Sequence, residues 1–415
     1  MQFGIFYEHQ LPKPWTDDDE FCLLRDALDQ VELADRLGFD YAWEVEHHFL
    51  DEYSHSSAPE VFLAAAAART KRIRLGHGIR QVIPKYNHPA RTAEALATLD
   101  LISNGRVDFG IGEGATRLEL HGFDIPAKQK RAMALETAEQ IANMMVLDPY
   151  PGYTSDTFTM PCRNVLPKPR QKPHPPMWMA CTNRDTIKVA ARNGIGALAF
   201  SFIDPDEARS WVEVYYDIIR SDECVPLGHA VNANIALVTG FSLHDDRAEA
   251  IRRGQEGFEF FGYALNALVA HDQVPGRTDL WGEFQARRSP DSVERRIAAA
   301  AEQGSSFASC IGTPDDAGRY LRQMRDVGVD QVIFIQQAGR NTHADICSSL
   351  ELFASDVMPE FAADEADRQQ RKTAELAPFV EAALARKVWM QPLADADIPV
   401  VRASVAKAQT AGSLA

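Results

Sequence analysis

Apolar positions along the chain follow two alternating patterns from residue 2 to about residue 360. Short apolar runs are typical of buried strands, and longer segments with apolar residues three or four positions apart are typical of amphipathic helices. The pattern predicts eight strands, at Gln2–Tyr7, Tyr41–Glu44, Ile73–Gly76, Val107–Gly112, Met177–Ala180, Gly196–Ser201, Ile235–Val238 and Gln331–Ile335. The predicted helices are Phe21–Leu37, Pro59–Arg69, Arg91–Ile102, Lys128–Val146, Arg184–Arg192, Pro205–Ile219, Asp245–Ala270, Pro314–Val327 and His343–Phe361.

This alternation of strands and helices predicts an α/β fold with a parallel sheet. Eight strands, each leading to a helix, favour a (β/α)8 TIM barrel over residues 1–361, although an open doubly wound sheet has the same local pattern. Two insertions interrupt the barrel, at about residues 150–176 and 271–311. The first is proline-rich and is either an extended connection packed on the barrel or a PxxP ligand. The second is a candidate mobile lid.

Residues 362–415 form a predicted C-terminal extension, helical at first and disordered at Gln409–Ala415. The formal net charge of −16 argues against binding to nucleic acid, which requires a basic surface. No apolar run reaches the length of a membrane span, and the N-terminus does not have the pattern of a secretory signal. The six cysteines include no CxxC pair, which favours reduced thiols over a zinc site. We therefore expect a soluble cytoplasmic protein.

The end of the second predicted strand carries the strongest candidate chemistry, the segment Glu44-Val45-Glu46-His47-His48-Phe49. Two histidines and two carboxylates suggest a metal site, but neighbouring residues of a strand point to opposite faces and cannot all bind one ion. A structural Glu–His pair is one alternative. We favour a polar cluster in which one imidazole meets a ligand, because loops at strand C-termini carry the active sites of such barrels. An imidazole titrating near neutral pH suits proton transfer.

Three further strand ends carry glycines or hydroxyl groups. Gly78 and Ile79 follow the third strand, where glycine either admits a flat ligand or marks a simple bend. The segment Gly110-Ile111-Gly112-Glu113-Gly114 does not have the spacing of a dinucleotide fingerprint, so we reject a Rossmann fold. Thr182 or Asn183 opens the helix after the fifth strand and is either a phosphate site or an ordinary helix cap.

Taken in order, these segments resemble the luciferase-like flavin monooxygenases, in particular the catalytic α-subunit of bacterial luciferase. The resemblance covers about residues 1–361 and depends on the whole series rather than on one motif. It includes Phe3-Gly4-Ile5-Phe6, Ala34-Asp35-Arg36-Leu37-Gly38-Phe39-Asp40, Trp43-Glu44-Val45-Glu46-His47-His48-Phe49, Arg72-Ile73-Arg74-Leu75-Gly76, His88-Pro89-Ala90-Arg91-Thr92-Ala93-Glu94, Ser103-Asn104-Gly105-Arg106, Pro173-His174-Pro175-Pro176, Gly312-Thr313-Pro314 and Ser355-Asp356-Val357-Met358-Pro359.

The resemblance implies a flavin cavity at the C-terminal face of the barrel, with His47 as the catalytic residue. His48 and Glu46 would orient His47 or line the cavity. The implied cofactor-binding residues are Glu46, Gly78, Ile79, Gly112, Glu113, Thr116, Cys181, Thr182, Asn183 and Thr186. Candidate substrate contacts are Tyr7, Glu8, Phe49, Ser201 and Phe202, although aromatic residues more often fill cores. The family often has a non-prolyl cis peptide at the position of Gly78–Ile79. We also expect His47 and the turn near Thr182 to face one cavity.

One position departs from the family. An arginine that holds the flavin phosphate often lies near the position of Glu113, and a carboxylate would repel phosphate. Either Glu113 points elsewhere and Arg117 or Arg184 supplies the positive charge, or the protein binds its cofactor weakly.

The resemblance implies a two-component monooxygenase. A separate NAD(P)H:flavin reductase would supply FMNH2, which reacts with O2 to give a C4a-hydroperoxyflavin that oxygenates a small organic substrate. A homodimer is expected by analogy. One alternative keeps the fold but uses the deazaflavin F420 for hydride transfer. A second is a non-catalytic flavin-binding subunit.

Overall fold

Eight of the strands pair in parallel and close into a barrel. The computed structural model describes residues 1–289, 291–292, 294–295, 297–298 and 310–402. The strands are β1 (Gln2–Tyr7), β2 (Tyr41–Glu44), β3 (Arg74–Gln81), β4 (Val107–Gly112), β5 (Tyr150–Thr154), β6 (Thr159–Arg163), β7 (Met177–Cys181), β8 (Gly196–Ala199), β9 (Ile235–Thr239), β10 (Phe241–Leu243), β11 (Cys310–Gly312) and β12 (Gln331–Ile335). The order of strands around the barrel is β1-β12-β9-β8-β7-β4-β3-β2.

Helices surround this barrel and follow the strands along the chain. They are α1 (Asp19–Leu37), α2 (Pro59–Arg69), α3 (Pro89–Ile102), α4 (Arg117–Gly122), α5 (Lys130–Val146), α6 (Arg184–Arg192), α7 (Pro205–Ile219), α8 (Arg247–Ala270), α9 (Leu280–Arg287), α10 (Pro314–Asp326), α11 (His343–Asp356), α12 (Met358–Ala362) and α13 (Glu365–Arg386). The predicted (β/α)8 barrel is therefore confirmed, and the open doubly wound sheet is wrong. Within the described residues, no helix is both long and apolar enough to cross a membrane.

Strand residues alternate between two hydrophobic cores. Phe6 and Trp43 belong to the cluster inside the barrel, together with Trp178 on the opposite side. Their neighbours Ile5 and Ala42 belong to the larger cluster between the strands and the surrounding helices. This period of two is the reason why each strand is apolar throughout, since a barrel strand is buried on both faces.

The two predicted insertions contain structure that the apolar pattern did not indicate. Strands β5 and β6 form an antiparallel hairpin outside the barrel. The proline-rich segment that follows packs on the barrel as an extended connection, where the Lys168 ammonium donates to the carbonyls of Met144 and Leu147. In the second insertion, α9 packs on α8 through Trp281, which lies 5.0 Å from Phe260 between ring centroids. The remainder of the predicted lid lies partly outside the described residues.

The C-terminal extension begins as the predicted helix, here α13, and crosses the N-terminal ends of the strands. Lys372 and Arg368 both contact the buried carboxylate of Asp330, which immediately precedes β12, at 2.7 and 3.4 Å. Asp330 also accepts hydrogen bonds from the Ile235 amide and the Tyr216 hydroxyl, so it joins α13 to α7 and β9. The predicted disorder at 409–415 lies outside the described residues.

Candidate active site

A cavity opens at the C-terminal ends of the barrel strands, where parallel barrels carry their active sites. The space inside it is about 1010 Å³ when the open solvent at its mouth is counted. Its walls are Glu8, Val45, His47, Tyr53, Gly78, Ile79, Gln81, Ile111, Gly112, Glu113, Gly114, Ala115, Lys130, Arg131, Ala134, Leu135, Met179, Ala180, Thr182, Thr186, Phe200 and Leu265. Both His47 and Thr182 therefore face one cavity.

His47 is held from behind by a buried carboxylate. Its Nδ1 lies 2.9 Å from Glu119 Oε1, which also accepts from the His48 amide at 3.1 Å. Thr116 caps the N-terminus of α4, and its hydroxyl donates to the other oxygen of Glu119 at 2.8 Å. Burial raises the pKa of Glu119, but His47 and these hydrogen bonds outweigh it and lower the pKa. Glu119 is thus a fixed anion that orients the imidazole.

The other nitrogen of His47 faces a second carboxylate, which lines the cavity. His47 Nε2 lies 3.7 Å from Glu8 Oε2, while Glu8 Oε1 accepts from the Tyr53 hydroxyl at 3.0 Å. Burial raises the pKa of Glu8 to about 7. For His47, burial acts to lower the pKa, but Glu119 and Glu8 overcome it and raise the pKa to about 9. His47 is therefore mainly protonated at neutral pH.

Glu46 and His48 lie behind the cavity wall. Glu46 accepts from the Gln81 amide at 3.0 Å and from the Asn87 side chain at 2.7 Å, and it contacts His48 Nε2 at 3.1 Å. The ring of His48 packs against Phe123. These contacts fix the end of β3 rather than meeting a ligand directly. Across the described part of the chain, no cluster of three or more His, Cys, Asp or Glu residues could hold a metal ion.

The ends of β3 and β4 form the flat floor of the cavity. A Cβ atom at Gly112 would overlap the Ile79 side chain, so glycine is what allows this close packing. The predicted cis peptide at Gly78–Ile79 is wrong, since every cis bond of the described residues precedes a proline. Instead, the register of β3 against β4 shifts between His77 and Arg80 as a bulge. A bulge displaces the backbone locally and leaves the extra residues outside the ladder of hydrogen bonds.

The turn after β7 forms the far end of the cavity. Asn183 caps α6 by accepting from the Thr186 amide at 3.0 Å, and the Thr186 hydroxyl accepts from the amides of Thr182 and Asn183. Thr182 and Thr186 line the cavity, whereas Asn183 is used by the cap. The backbone amides of Thr182 and Asn183 are occupied within this turn. Hydroxyl groups and any cations nearby must therefore supply most contacts to an anion.

Two cations from α5 lie at the same end and were missed by the sequence analysis. Arg131 makes a bidentate pair with Glu113, with both nitrogens 3.0 Å from the carboxylate oxygens, and Lys130 Nζ lies 3.5 Å away. Neither predicted substitute lines the cavity. Arg184 pairs instead with Glu207, and Arg117 lies in the first turn of α4. The positive charge comes from α5 because that helix begins beside the end of β4.

Four predicted contacts do not line the cavity, and each has a physical reason. Tyr7 follows the strand alternation outward, and its hydroxyl donates to Gln30 of α1 at 3.1 Å. Phe49 is 55% exposed and stacks on Phe123. Cys181 is buried among apolar side chains, which raises the pKa of its thiol to about 12. Thr116 acts through Glu119, as described above.

The two predicted substrate contacts after β8 are also displaced from the cavity. The Ser201 hydroxyl donates to the Thr182 carbonyl at 2.9 Å and so braces the turn after β7. Phe202 packs on Phe258 of α8, with ring centroids 4.7 Å apart. From this segment it is Phe200, directly before Ser201 and two positions before Phe202, that lines the cavity. Helix α8 contributes Leu265. A slip of two positions at a strand end is beyond the resolution of a hydrophobic pattern.

Comparisons with known proteins agree with this geometry. A family profile described as luciferase-like monooxygenase matches residues 1–331. The chain is 31% identical to the oxygenase component of the flavin-dependent trigonelline monooxygenase of Acinetobacter baylyi, over 89% of this chain and 98% of that protein. Among solved structures, the monooxygenase RslO1 from Streptomyces bottropensis is 27% identical, with a TM-score of 0.69 over 87% of this chain and 100% of that one.

A solved structure with a different cofactor has the same fold. The coenzyme F420 dependent tetrahydromethanopterin reductase from Methanopyrus kandleri is 22% identical, with a TM-score of 0.59 over 87% of this chain and 99% of that chain. At this identity the likeness concerns the fold alone, so the barrel by itself does not select between the two cofactors.

Proposed function

Because the chain belongs to the luciferase-like monooxygenase family, we propose that it is the oxygenase component of a two-component system that uses FMNH2 and O2 to oxygenate a small organic substrate. The observation that carries this proposal is that one cavity holds both the imidazole of His47, which is protonated at neutral pH, and the cations Lys130 and Arg131 together with Thr182. The likeness to a flavin-dependent oxygenase component supports the choice of reaction.

The residues of the cavity fit a flavin mononucleotide. Lys130 and Arg131, with the hydroxyl of Thr182, would hold its phosphate. The Thr186 hydroxyl donates to the Asn183 carbonyl at 2.7 Å and would instead brace this turn. The floor at Gly78, Ile79 and Gly112 would lie against the ring system. Gln81 supports this fit independently, because its Oε1 is buried without a hydrogen-bond partner and the residue lines the cavity. An unpaired buried acceptor is costly unless a ligand donates to it.

Reduced FMN supplies the electrons that activate O2 when it is bound. The chain's own contribution is positioning, proton supply and exclusion of water. His47 is protonated at neutral pH and its Nε2 faces the cavity, so it is placed to donate a proton to an oxygen atom at that end. The apolar side chains of Val45, Phe200 and Leu265 keep water from this region, which prevents loss of the oxidising equivalent as H2O2.

The direct test is oxygen uptake with photoreduced FMN and a panel of carbonyl and aromatic compounds, with organic products and H2O2 both quantified. We expect His47→Gln to lower the yield of oxygenated product by ~100-fold or more, which is the usual contribution of a positioned acid. His55→Gln is the matched control, because His55 pairs with Glu20 outside the cavity. Near wild-type product from His47→Gln would refute the role of His47.

F420 remains a second candidate cofactor, favoured by the fold shared with an F420-dependent reductase. Equilibrium titration of the protein with FMN, FMNH2 and F420 separates the two. Tight F420 binding together with no O2 consumption would replace the monooxygenase proposal. The non-catalytic alternative is set aside, since the relatives of this chain are oxidoreductases.

Three further features belong to the same proposal. A separate flavin reductase would supply FMNH2. The trigonelline relative is named as an oxygenase component, which supports a system of this kind. A homodimer is proposed by analogy and is tested by sedimentation analysis. The cytoplasm is the proposed location, which fits the six unpaired cysteines of the described residues.

A further inference from the structure

Among the buried carboxylates near the mouth of the barrel that the structure describes, Glu8 is the one that lines the cavity. Glu44 also has an unpaired oxygen, but its other oxygen contacts Ser56 and His9, and Glu44 does not line the cavity. Glu119 and Glu46 each accept at least three hydrogen bonds or ion-pair contacts, and Glu52 accepts from the amides of Lys13, Leu280 and Trp281. Glu8 is only 3% exposed, yet it has one hydrogen bond, from Tyr53, and its Oε2 has none. The remaining contact of this oxygen is with His47 Nε2 at 3.7 Å, so no hydrogen bond ties it to the fold.

The surroundings of Glu8 allow it to hold or release a proton. It faces His47 and Tyr53 from the segment after β2, Glu119 from α4 and Glu44 from β2. His47 and Tyr53 favour its charged form, whereas burial and the two carboxylates favour the neutral form. The balance leaves its pKa near neutrality, in contrast to the depressed pKa of Glu119 on the other side of the same imidazole.

The wall beside Glu8 is apolar and partly aromatic. Tyr53 and Val45 lie beside Glu8, where the Tyr53 hydroxyl donates to Glu8 and the Val45 amide to the Tyr7 carbonyl. Phe200 and Leu265 add to the apolar lining of the same cavity. Such a wall suits a flat or cyclic apolar body, and the free oxygen of Glu8 provides an acceptor beside it. His47 provides a positive charge at 3.7 Å from that oxygen. A group that gives a proton to Glu8 would leave its negative charge beside an imidazolium.

We infer that Glu8 is the base that removes the proton from a hydroxyl group of the substrate, so that the substrate is an aromatic or enolic compound with an ionisable hydroxyl. This inference rests on the proposed function. In the step, the substrate O–H bond breaks, the Glu8 carboxylate takes the proton, and the electron pair stays on the substrate oxygen beside His47. The resulting oxyanion makes the ring carbons ortho and para to it, or the α-carbon of an enolate, electron-rich and ready for oxygenation. Glu8 returns its proton to water after product release.

The test compares 4-ethylphenol with 4-ethylanisole, which differ by the hydroxyl proton that Glu8 would accept. Their binding is measured by equilibrium dialysis against anaerobic protein saturated with FMNH2, between about pH 5.5 and 8.5, across the pKa of Glu8. We expect the wild type to prefer the phenol by about 10-fold at the upper pH, the advantage of a charged acceptor, and to lose most of that preference at the lower pH. Glu8→Gln should show a small preference that does not change with pH.

Two further variants keep the test decisive. Tyr53→Phe removes the one hydrogen bond that favours the charged form of Glu8, so the onset of the phenol preference should move to higher pH. Glu20→Gln neutralises a carboxylate that is 70% exposed, and it should behave as the wild type. Equal binding of the two compounds by the wild type, no binding of either, or an unchanged preference in Glu8→Gln would overturn the inference. Failure of the wild type to bind FMNH2 would instead refute the proposed function.

Discussion

Two glutamates on one imidazole show how local contacts set the chemistry of a side chain. Glu119 receives hydrogen bonds from a helix cap and a backbone amide, so it stays ionised and holds His47 in place. Glu8 lies on the cavity side with an unpaired oxygen, so burial dominates its behaviour. When the surroundings of two carboxylates push their pKa values apart, one stays charged and the other can take up and release a proton. Here Glu119 has the first role and Glu8 the second.

Glu119 should control the alkaline limit of activity, because its charge raises the pKa of His47 to about 9. In the wild type, kcat/KM should fall below pH 7 as Glu8 gains a proton and above pH 9 as His47 loses one. In Glu119→Gln, we expect the alkaline limb to move down by about one pH unit or more, since an adjacent carboxylate commonly contributes that much. A pH profile of product formation measures the shift. An unmoved alkaline limb would contradict a role of Glu119 in positioning and charging His47.

Glu8 should also affect stability in a pH-dependent way. Its pKa rises from 4.5 in the unfolded chain to about 7 in the folded state, so folding favours the protonated form and stability is lost as pH rises from 4.5 to 7. Glu8→Gln does not titrate, and its free energy of unfolding relative to wild type should improve by about 3 kcal/mol over this range. Urea unfolding across the range measures the change. A constant difference between the two proteins would contradict the shifted pKa.

At this scale the sequence predicted residues at or near the C-terminal ends of strands. His47, Gly78 and Thr182 all line the cavity, because strand C-termini converge at one end of a parallel barrel. Lys130 and Arg131 were missed because they begin a helix beyond α4, where no strand signal indicates their direction. Tyr7 was wrongly assigned because it immediately precedes Glu8, and only the alternation of the folded strand sends the two side chains to opposite sides.

At the scale of elements, close packing of α8 depends on glycines, and Gly257 is one of them. Gly257 lies against the loop after β12, where an added Cβ would overlap the Ala338 carbonyl oxygen and the Asn341 side chain. Gly262 is on the same helix, and a Cβ there would meet nothing within 4 Å. The two glycines therefore form a matched pair that separates packing from helix propensity.

We expect Gly257→Ala to destabilise the protein by about 2 kcal/mol, since the backbone of the loop cannot yield without moving. Gly262→Ala should stabilise it by about 0.5–1 kcal/mol, because alanine loses less conformational entropy in a helix. Thermal or urea unfolding of both variants measures the effects. Equal changes in the two variants would show that α8 does not pack against this loop as described.

The predicted elements agree with the structure where burial on both faces produced a strong pattern. The bounds of β1, β2, β4 and β12 are those predicted. The β5–β6 hairpin was missed because Pro151 and Pro161 interrupt its strands, and proline is tolerated there only because the hairpin has two edges. Strand β3 extends to Gln81, beyond its prediction, because Gly76 and Gly78 weakened the apolar run.

At the scale of the molecule, stability and chemistry are located at opposite ends of the barrel. The cavity lies at the C-terminal ends of the strands, while α13 joins Asp330 and its partners at the N-terminal ends. The strand ends that contact α13 are therefore at the other end of the barrel from the loops that form the cavity. The extension was predicted as a helix from its composition, but its partners could not be predicted, because Asp330 and Asn234 lie 42 and 138 positions before Lys372.

Removal of the Lys372 ammonium should destabilise the fold without altering the cavity. Lys372 contacts the buried Asp330 carboxylate at 2.7 Å, and only Arg368, at 3.4 Å, would then remain as its cationic partner among the described residues. We expect Lys372→Ala to lower the free energy of unfolding by about 2 kcal/mol while FMN affinity is kept. Arg371→Ala, at an exposed neighbouring position, is the control. Loss of FMN affinity in Lys372→Ala would show that the two ends are coupled.

The pairing of Glu113 with Arg131 and Lys130 has a consequence for the binding and release of the proposed cofactor. One carboxylate cancels one of the two positive charges, so a doubly charged phosphate would meet a site with a single surplus charge. This partial neutralisation favours weak binding of the cofactor and a short residence time on the protein. The protein would then take up reduced flavin afresh at each turnover. Its turnover rate would depend on how fast the reductase supplies reduced flavin rather than on permanently bound flavin.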